Sequence, residues 1–280
     1  MVVKLTDQSL LIDIHHAKKI AILYICTGKY SIFWDEFYNS AEKNLLQQHS
    51  KIFFVFTDNK LLLKRKQSNV DFIYQQKLGW PLDTLYRYKI FLRIAEKLQG
   101  YDYVYFINAN ALIVSEIGDE ILPDPFLLIG SQHPCYYDKK PDEFIYDRNP
   151  NSSACIETGI GNHYVMGAFI GGETSAFLLM CTQLDYNIDQ DFKKSIIALW
   201  HDESHYNKYL LSKPYKLLPP SYVYPEEMNI PFLPKIVLRD KNKYGGHTLL
   251  RGIKKNTSFY NYFKQLIRRT IIYSCIPLYV

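Results

Sequence analysis

Short apolar runs that end in polar turns divide the first half of the chain. The first run, KIAILYICTG, spans 19–28, the second, KIFFVFTDN, spans 51–59, and the third, YDYVYFINAN, spans 101–110. Short runs that are rich in aromatic and β-branched residues are typical of buried parallel strands. Apolar residues at helical spacing between these runs predict helices over 34–48 and 82–98.

This alternation of strands and helices predicts an α/β fold. We expect a Rossmann-like, mostly parallel sheet with helices on both faces, in a single catalytic domain. Such sheets bind their ligands beyond the carboxyl ends of the strands. The three turns that follow the apolar runs are therefore expected to line one cleft.

The pattern becomes less regular after Pro123. Loops such as HPCYYDKKPDEFIYDRNPNSS connect short strands, and the run HYVMGAFIGG leads into a helix that is expected to begin near Thr174. The long loop over 141–161 fits two interpretations, a functional loop of a compact enzyme or a disordered connector.

Composition narrows the range of functions. With 280 residues, of which 48% are hydrophobic, the chain can bury a substantial core. A formal net charge of +5 is weak for a nucleic-acid-binding protein, so no nucleic-acid partner is expected.

The five cysteines show no C-x-x-C pairing, which favours a reducing compartment. Because charged residues and His interrupt the apolar positions of residues 1–18, we expect an N-terminal leader without a signal peptide, and a cytoplasmic protein.

Residues 253–280 form a basic and aromatic C-terminal tail. The segment SFYNYFKQLIRRTIIYSCIPLYV is too interrupted to span a bilayer, which needs about 20 predominantly apolar residues. One interpretation is an interfacial helix that contacts the inner face of the cytoplasmic membrane, since basic residues beside an apolar face favour anionic lipid. The other is a terminal helix that packs on its own domain.

The segment WHDESHYNKYLL, residues 200–211, places two adjacent carboxylates between two histidines. Asp202 and Glu203 lie between His201 and His205. Histidines four apart share a helical face and could bind a metal, but the zincin pattern requires Glu directly after the first His, where this chain has Asp202. The alternative is a helix N-terminus, whose dipole favours acidic residues in the first turn.

Two amides, Asn108 and Asn110, follow the third apolar run, where an α/β fold places its ligand. Two Asp residues at these positions would indicate a site for a divalent cation and a diphosphate. Amides carry no charge, so they can hydrogen-bond ribose hydroxyls or phosphate oxygens but do not bind Mn²⁺ or Mg²⁺ tightly without other ligands. An ordinary turn is the alternative, because Asn tolerates left-handed conformations.

Several segments together resemble one enzyme family: YICTGKYSIFWDEFYNSAE, YDYVYFINAN, HPCYYDKKPDEFIYDRNP, HYVMGAFIGG, and WHDESHYNKYLL with PPSYVYPE. On these motifs the chain resembles glycosyltransferase family 6, which includes the mammalian blood-group A and B transferases, the α1,3-galactosyltransferases and bacterial homologues. The likeness extends from about Ile20 to Arg251. It implies a GT-A type catalytic domain over 19–252, with a UDP-binding half over 19–122 and an acceptor half over 123–252.

The resemblance also bears on the amide pair. Mammalian members carry Asp-x-Asp and need Mn²⁺, whereas the bacterial members that this chain resembles carry Asn-x-Asn and work without metal. Asn108 and Asn110 occupy those positions, which implies that no divalent cation or other cofactor is required. Cations of the protein would then stabilise the departing UDP.

Individual residues receive roles from the same resemblance. Glu203 would be the catalytic carboxylate, which either attacks the donor or stabilises an ion pair. Asp202 and Arg87 would hold the donor sugar, together with Asn108 and Asn110. Contacts with UDP are implied for Ile25, Thr27, Tyr30, Asn108, Asn110, Lys241, Arg239 and Arg251, and contacts with the acceptor for His133, Trp200 and Glu203. Alternatively, His133 is a core histidine, and Arg239 and Arg251 are solvated surface residues.

Donor choice in the family depends on the three positions that here read Met166-Gly167-Ala168. The blood-group B transferase has the same triplet, and a bulky Met with an Ala Cβ leaves little room for a 2-acetamido group. The resemblance therefore implies a retaining hexosyltransferase that moves galactose from UDP-galactose, in α1,3 linkage, to a galactose-containing, fucosylated H-type glycan. The same enzyme with UDP-GalNAc, or a non-catalytic protein that binds sugar nucleotides or glycans, are the alternatives.

Overall fold

The apolar runs predicted as strands form the centre of a mixed sheet. A computed structural model describes residues 17–252. In chain order its strands are β1 (Lys19–Ile25), β2 (Ser50–Thr57), β3 (Val70–Tyr74), β4 (Tyr103–Ile107), β5 (Ala111–Ile113), β6 (Leu128–Gln132), β7 (Val165–Glu173), β8 (Lys216–Leu218), β9 (Tyr224–Pro225) and β10 (Ile236–Leu238). The main sheet has seven strands in the order β3-β2-β1-β4-β7-β6-β8, and a smaller sheet has the order β5-β10-β9.

Helices cover the sheet and connect its strands. They are α1 (Trp34–Asn44), α2 (Lys60–Leu63), α3 (Leu82–Leu85), α4 (Arg87–Leu92), α5 (Ala95–Leu98), α6 (Thr174–Lys193), α7 (Asp202–Leu210) and α8 (Gly246–Arg251). Short 3₁₀ helices span Gly28–Phe33, Asp119–Ile121, Pro141–Glu143, Pro220–Val223 and Lys241–Tyr244.

Both faces of β1 are covered, because its side chains alternate between two hydrophobic clusters. Ile20, Ile22 and Tyr24 pack with α1 and the small sheet, whereas Ala21 and Leu23 pack with α4 and α6. A strand buried on both sides explains why its sequence is a continuous apolar run. The prediction of a mostly parallel sheet with helices on both faces is confirmed.

One strand of the main sheet, β7, runs against its neighbours. It pairs antiparallel with β4 on one side and with β6 on the other, whereas β1, β2, β3 and β4 pair in parallel. The first residues of β7 therefore lie at the edge of the sheet where β1 and β4 end. Strands from both predicted halves of the catalytic domain thus meet in one sheet and form a single domain.

The regular elements differ from the sequence prediction in extent. The helix expected over 34–48 ends at Asn44, and the single helix expected over 82–98 is instead three short helices, α3, α4 and α5. Neither Gly nor Pro lies between α3 and α5, so the breaks come from tertiary packing, which overrides helical propensity where buried side chains fix the chain. A buried Arg87 begins α4, directly after the first break.

The loop over 141–161 contains a single short 3₁₀ helix. It is packed rather than disordered, because Phe144, Tyr146 and Ile156 are buried in a cluster with Tyr136 and Tyr164. Within residues 17–252 no helix is long and apolar enough to cross a membrane. The predicted tail, 253–280, and nearly all of the predicted leader, 1–18, lie outside the described residues.

Close packing between β7 and β4 generates a stability prediction. A Cβ at Gly171 would lie 2.5 Å from the Val104 carbonyl oxygen, which belongs to the backbone of the neighbouring strand. We expect Gly171→Ala to lower the free energy of unfolding by about 3 kcal/mol. Gly100→Ala is the matched control, because its Cβ would have no neighbour closer than 3.7 Å. Urea denaturation measures both variants, and equal midpoints would contradict the prediction.

Candidate active site

The candidate site lies at the edge of the sheet where β1 and β4 end and β7 begins. The Asn108 N–H, directly after β4, donates to the Ala168 carbonyl at 2.9 Å. On β1, Ile25 is half-buried and is followed by the buried Thr27, whose carbonyl accepts from the Tyr30 N–H at 3.2 Å. The turn after β4 therefore adjoins the triplet predicted to select the donor. The turns after β1 and β2 contact each other, since the Gly28 N–H donates to Asp58 Oδ1 at 2.7 Å.

A strained turn at His201 places the two carboxylates at this edge. His201 has φ 54° and ψ −125°, a conformation that residues other than Gly rarely adopt. The Trp200 N–H donates to the Ser204 hydroxyl at 2.9 Å, and the Glu203 N–H donates to the Trp200 carbonyl at 3.1 Å. Asp202 and Glu203 consequently form the first turn of α7, where the helix dipole favours negative charge.

Asp202 is held by a buried arginine. The Arg87 Nε lies 2.9 Å from Asp202 Oδ2, and both side chains are almost inaccessible to solvent. The guanidinium also donates to the Gly167 carbonyl and lies 4.5 Å from the centre of the Phe106 ring. Burial raises the pKa of Asp202 to about 7, although the Arg87 charge opposes the rise. Arg87 thus joins α4, β7 and α7 at one point.

Both oxygens of the Glu203 carboxylate accept hydrogen bonds. The Tyr164 hydroxyl donates to Oε1 and the Gly167 N–H donates to Oε2, each at 2.8 Å. Burial raises the pKa of Glu203, whereas the bonds from Gly167 and Tyr164 and the Arg87 charge lower it. The carboxylate plane is therefore fixed before any substrate binds.

Two residues of the donor triplet, Gly167 and Ala168, lie in a bulge of β7. Ser131 of β6 pairs with Met166, but the preceding Gly130 pairs with Ile170. Three residues of β7, 167–169, therefore have no pairing partner on β6. Bulges of this kind redirect side chains and are common beside active sites. A Cβ at Gly167 would lie 3.3 Å from Asp202 Oδ2, so this glycine leaves room for the carboxylate beside β7.

The amide pair is tied to the small sheet. Asn110 is buried, and its side-chain N–H donates to the Arg239 carbonyl at 2.8 Å. The Asn108 side-chain N–H is 3.5 Å from Asn110 Oδ1. The Arg239 guanidinium donates to the Glu36 carboxylate and to the carbonyls of Asn110, Phe33 and Ala111. Arg239 is thus a buried support of the turn rather than a solvated residue, and its contact with UDP stays a prediction.

A group of cations faces the same edge. The Arg251 guanidinium lies 4.7 Å from the Trp80 ring centre and hydrogen-bonds the Tyr30 side chain. Burial, followed by the charge of Arg251, lowers the pKa of Lys241 to about 8. The Lys77 ammonium lies close to the turn after β1, because a Cβ at Gly28 would be 3.0 Å from it. Asp83 acts on Lys77 and Glu227 acts on Lys241, so carboxylates accompany these cations. A group of neighbouring positive charges nevertheless favours an anionic ligand.

The predicted acceptor residues lie among the neighbours of Glu203. The His133 ring centre is 5.5 Å from that of Tyr164, and the Trp200 carbonyl accepts the Glu203 N–H. His133 Nδ1 accepts the Cys135 N–H at 3.1 Å, so in the neutral ring Nε2 carries the proton. Burial lowers the pKa of His133 to about 3, which keeps the ring neutral. The Trp200 indole N–H is shielded from solvent and has no hydrogen-bond partner within residues 17–252. Both side chains thus offer a donor near the carboxylate.

The two histidines of the carboxylate segment face different neighbours. The His201 ring packs edge-on against Trp80 at 5.4 Å, whereas His205 Nε2 lies 4.0 Å from Asp191 Oδ2. Burial lowers the pKa of His201 to about 3 and that of His205 to about 4. In the described part of the chain, no group of three or more His, Cys, Asp or Glu side chains could hold a metal ion. Cation independence of the reaction itself stays a prediction.

Comparison with known proteins identifies the family. The profile of Glycosyltransferase family 6 matches residues 5–245. The chain belongs to glycosyltransferase family 6. The family match begins within the segment that the sequence analysis set apart as a leader, so family-like sequence extends further towards the N-terminus than the motifs indicated. As a member of glycosyltransferase family 6, the chain is a hexosyltransferase that takes a sugar-nucleotide donor and a glycan acceptor.

Relatives within glycosyltransferase family 6 come from bacteria and animals. The O-antigen biosynthesis glycosyltransferase WbnI of Escherichia coli is 36% identical over 224 residues, which cover 80% of this chain and 95% of that protein. The histo-blood group ABO system transferase 2 of Rattus norvegicus is 30% identical over 75% of this chain and 64% of its own length. The globoside alpha-1,3-N-acetylgalactosaminyltransferase 1 of Gallus gallus is 29% identical over 80% of this chain and 67% of its own.

Three residues that contact this family 6 site were not predicted from the sequence. Tyr164 contacts Glu203, Lys77 lies beside the turn after β1, and Asn207 joins α7 to β7. The Asn207 side chain accepts the Val165 N–H and donates to the Val165 carbonyl and to the Glu203 carbonyl. Asn207 lies one helical turn after Glu203, and this spacing is the one sequence signal that could have indicated it.

The cations at the candidate site lead to a prediction about how UDP affinity depends on pH. Lys241 is protonated at neutral pH and loses its proton as the pH rises through about 8, so its attraction for a diphosphate is lost in that range. We expect the Kd for UDP to rise with pH above about 8, by up to about tenfold per pH unit, and UDP binding to take up protons there. Isothermal titration calorimetry in buffers of different ionisation enthalpy measures both.

Lys241→Arg should keep its affinity to higher pH, because a guanidinium stays charged. Lys243→Met is the matched control, since Lys243 lies in the same 3₁₀ helix but pairs with Glu226. A UDP affinity that is independent of pH in the unmodified protein would contradict the prediction.

Proposed function

We propose that this family 6 hexosyltransferase moves galactose from UDP-galactose, with retention and in α1,3 linkage, to a galactose-containing, fucosylated H-type glycan, without a divalent cation. One observation carries the proposal: Gly167, the middle residue of the donor triplet, contacts both Glu203 and the Arg87 that holds Asp202. Donor selection and the reacting carboxylate therefore share one backbone position.

Protein cations can take the place of the metal. Transfer leaves UDP with an additional negative charge, and fixed positive charges aimed at it act mainly in the transition state. Lys241, Arg251 and Lys77 are the candidates at the edge of the sheet, while Asn108 and Asn110 offer uncharged hydrogen bonds. Arg87 acts indirectly, since its charge is engaged by Asp202.

Glu203 supplies the negative charge beneath the sugar. The anomeric carbon becomes electron-poor as its bond to UDP breaks, and a fixed carboxylate favours that state. Glu203 Oε either attacks the carbon to form a glycosyl-enzyme, which the acceptor hydroxyl then displaces, or stabilises the ion pair while the acceptor enters on the same face. Asp202, oriented by Arg87, would receive the sugar hydroxyls.

The donor assignment rests on space around the triplet. Ala168 is buried and Met166 is packed against the hydrophobic core, so the side chains beside Gly167 have little freedom to withdraw. A 2-acetamido group requires more room than a hydroxyl, which favours UDP-galactose over UDP-GalNAc.

The acceptor assignment rests on His133 and Trp200. Their ring N–H groups suit the hydroxyls of a sugar, and the Trp200 ring offers an apolar face. A lipopolysaccharide-type glycan made at the cytoplasmic side of the inner membrane is the natural setting that we propose. The E. coli relative, an O-antigen biosynthesis glycosyltransferase, supports it.

The first experiment is UDP release by the purified protein in EDTA, with UDP-galactose and UDP-GalNAc side by side and 2′-fucosyllactose as acceptor. We expect acceptor-dependent release with UDP-galactose, and none from Glu203→Gln, which should still bind UDP because its shape is kept. Loss of release in EDTA with recovery in Mn²⁺ would overturn metal independence. Full turnover by Glu203→Gln would overturn the role of Glu203, and UDP binding without transfer would favour a binding protein.

The donor triplet generates a separate prediction. Ala168→Gly removes the Cβ that limits the space beside Gly167, so we expect the ratio of kcat/KM for UDP-GalNAc to that for UDP-galactose to rise by about tenfold. The ratio is insensitive to the amount of folded enzyme, which serves as an internal control. An unchanged ratio would reject the assignment of donor choice to this triplet.

A further inference from the structure

Tyr164 connects the acceptor loop, residues 133–164 between β6 and β7, to the reacting carboxylate. Its side chain is fully buried, and its hydroxyl donates to Glu203 Oε1 at 2.8 Å. The partner oxygen, Oε2, accepts from the Gly167 N–H at the same distance. A carboxylate held at one oxygen can rotate about its last bond, whereas one held at both oxygens has a fixed plane.

The Tyr164 ring cannot move away easily, because aromatic neighbours enclose it. The ring centres of Tyr136, Tyr146 and His133 lie 5.0, 5.3 and 5.5 Å from that of Tyr164. The Tyr164 carbonyl accepts the His133 N–H at 2.8 Å, and Asn207 pins the following residue, Val165. Backbone and ring therefore both aim the hydroxyl at Glu203.

The other charged or titratable groups that face Glu203 come from three elements. Arg87 of α4 and the adjacent Asp202 of α7 act on its charge, and Cys135 and Tyr136 of the acceptor loop respond to it. Unlike these groups, the Tyr164 hydroxyl donates a hydrogen bond directly to the carboxylate. Burial of Glu203 favours the protonated form, so a donor that favours the ionised form matters more here than at a surface.

We propose that Tyr164 is a positioning residue for the transfer reaction: its hydroxyl fixes the plane of the Glu203 carboxylate and keeps it ionised. The inference rests on the proposed function for its effect on turnover, but not for its effect on the carboxylate itself. Because the Tyr164 ring packs against residues of the acceptor loop, the packing of that loop also affects the position of the Glu203 carboxylate oxygens.

The test compares Tyr164→Phe with Tyr146→Phe. Both variants remove one hydroxyl from the same aromatic cluster, but the Tyr146 hydroxyl donates to the His163 carbonyl, not to Glu203. We expect Tyr164→Phe to lower kcat about tenfold at neutral pH, with KM within about twofold, as for the loss of one hydrogen bond to a charged group. Loss of that bond raises the pKa of Glu203, so the acidic limb of the plot of kcat against pH moves to higher pH. The difference in kcat between Tyr164→Phe and the unmodified protein therefore becomes smaller at alkaline pH. Tyr146→Phe should keep the original profile.

A second measurement needs no turnover. Titration of the Glu203 side-chain carboxyl by ¹³C NMR, with the resonance assigned by its absence in Glu203→Gln, should give a higher pKa in Tyr164→Phe than in the unmodified protein. A 3-fluorotyrosine at position 164, a stronger donor of nearly the same size, should give a lower one and covers the case in which Tyr164→Phe folds poorly. An unchanged Glu203 titration in these variants would overturn the proposal. If neither donor is turned over by the unmodified protein, the proposed function fails, while the titration still decides the role of Tyr164.

Discussion

The site depends on a charge pair that is buried where α4, α7 and β7 meet. Arg87 and Asp202 meet at 2.9 Å with almost no access to solvent. Removal of either partner from such a pair leaves an isolated charge and typically costs about 3–5 kcal/mol. The pair therefore requires α4, β7 and α7 to stay together, and the strained backbone of His201 is tolerated because this contact fixes the residue that follows it.

The basic side chains divide into two sets with different tasks. Arg87 and Arg239 are buried and engaged by the protein. Arg87 forms an ion pair with Asp202 and a hydrogen bond to Gly167, and Arg239 binds Glu36 and three carbonyls. Lys241 begins the 3₁₀ helix before α8, and Arg251 is the last residue of α8. Arg239 thus supports the uncharged Asn-x-Asn turn through the Asn110 carbonyl, while Lys241 and Arg251 are the cations that we propose for UDP.

Much of this arrangement could be predicted from the sequence. The apolar runs identified the central strands, and the adjacent carboxylates Asp202 and Glu203 indicated a helix start. The motifs of the family drew attention to the same two residues. The breaks in the helix over 82–98 could not be predicted, because helical spacing continues through them and tertiary packing causes them. The contact of Tyr164 with Glu203 was missed for a related reason: the residues are 39 apart in sequence, and the contact exists only once β7 and α7 are packed.

The bulge in β7 has a consequence for the divergence of related enzymes. Gly167, Ala168 and Phe169 stand outside the regular pairing with β6, and the Ser131 hydroxyl secures the bulge by donating to the Phe169 carbonyl at 2.9 Å. A change of the Ala168 side chain therefore leaves the register of the ladder on either side of the bulge unchanged. Under the proposed role of the triplet in donor choice, a single substitution there changes substrate preference while the surrounding scaffold stays the same.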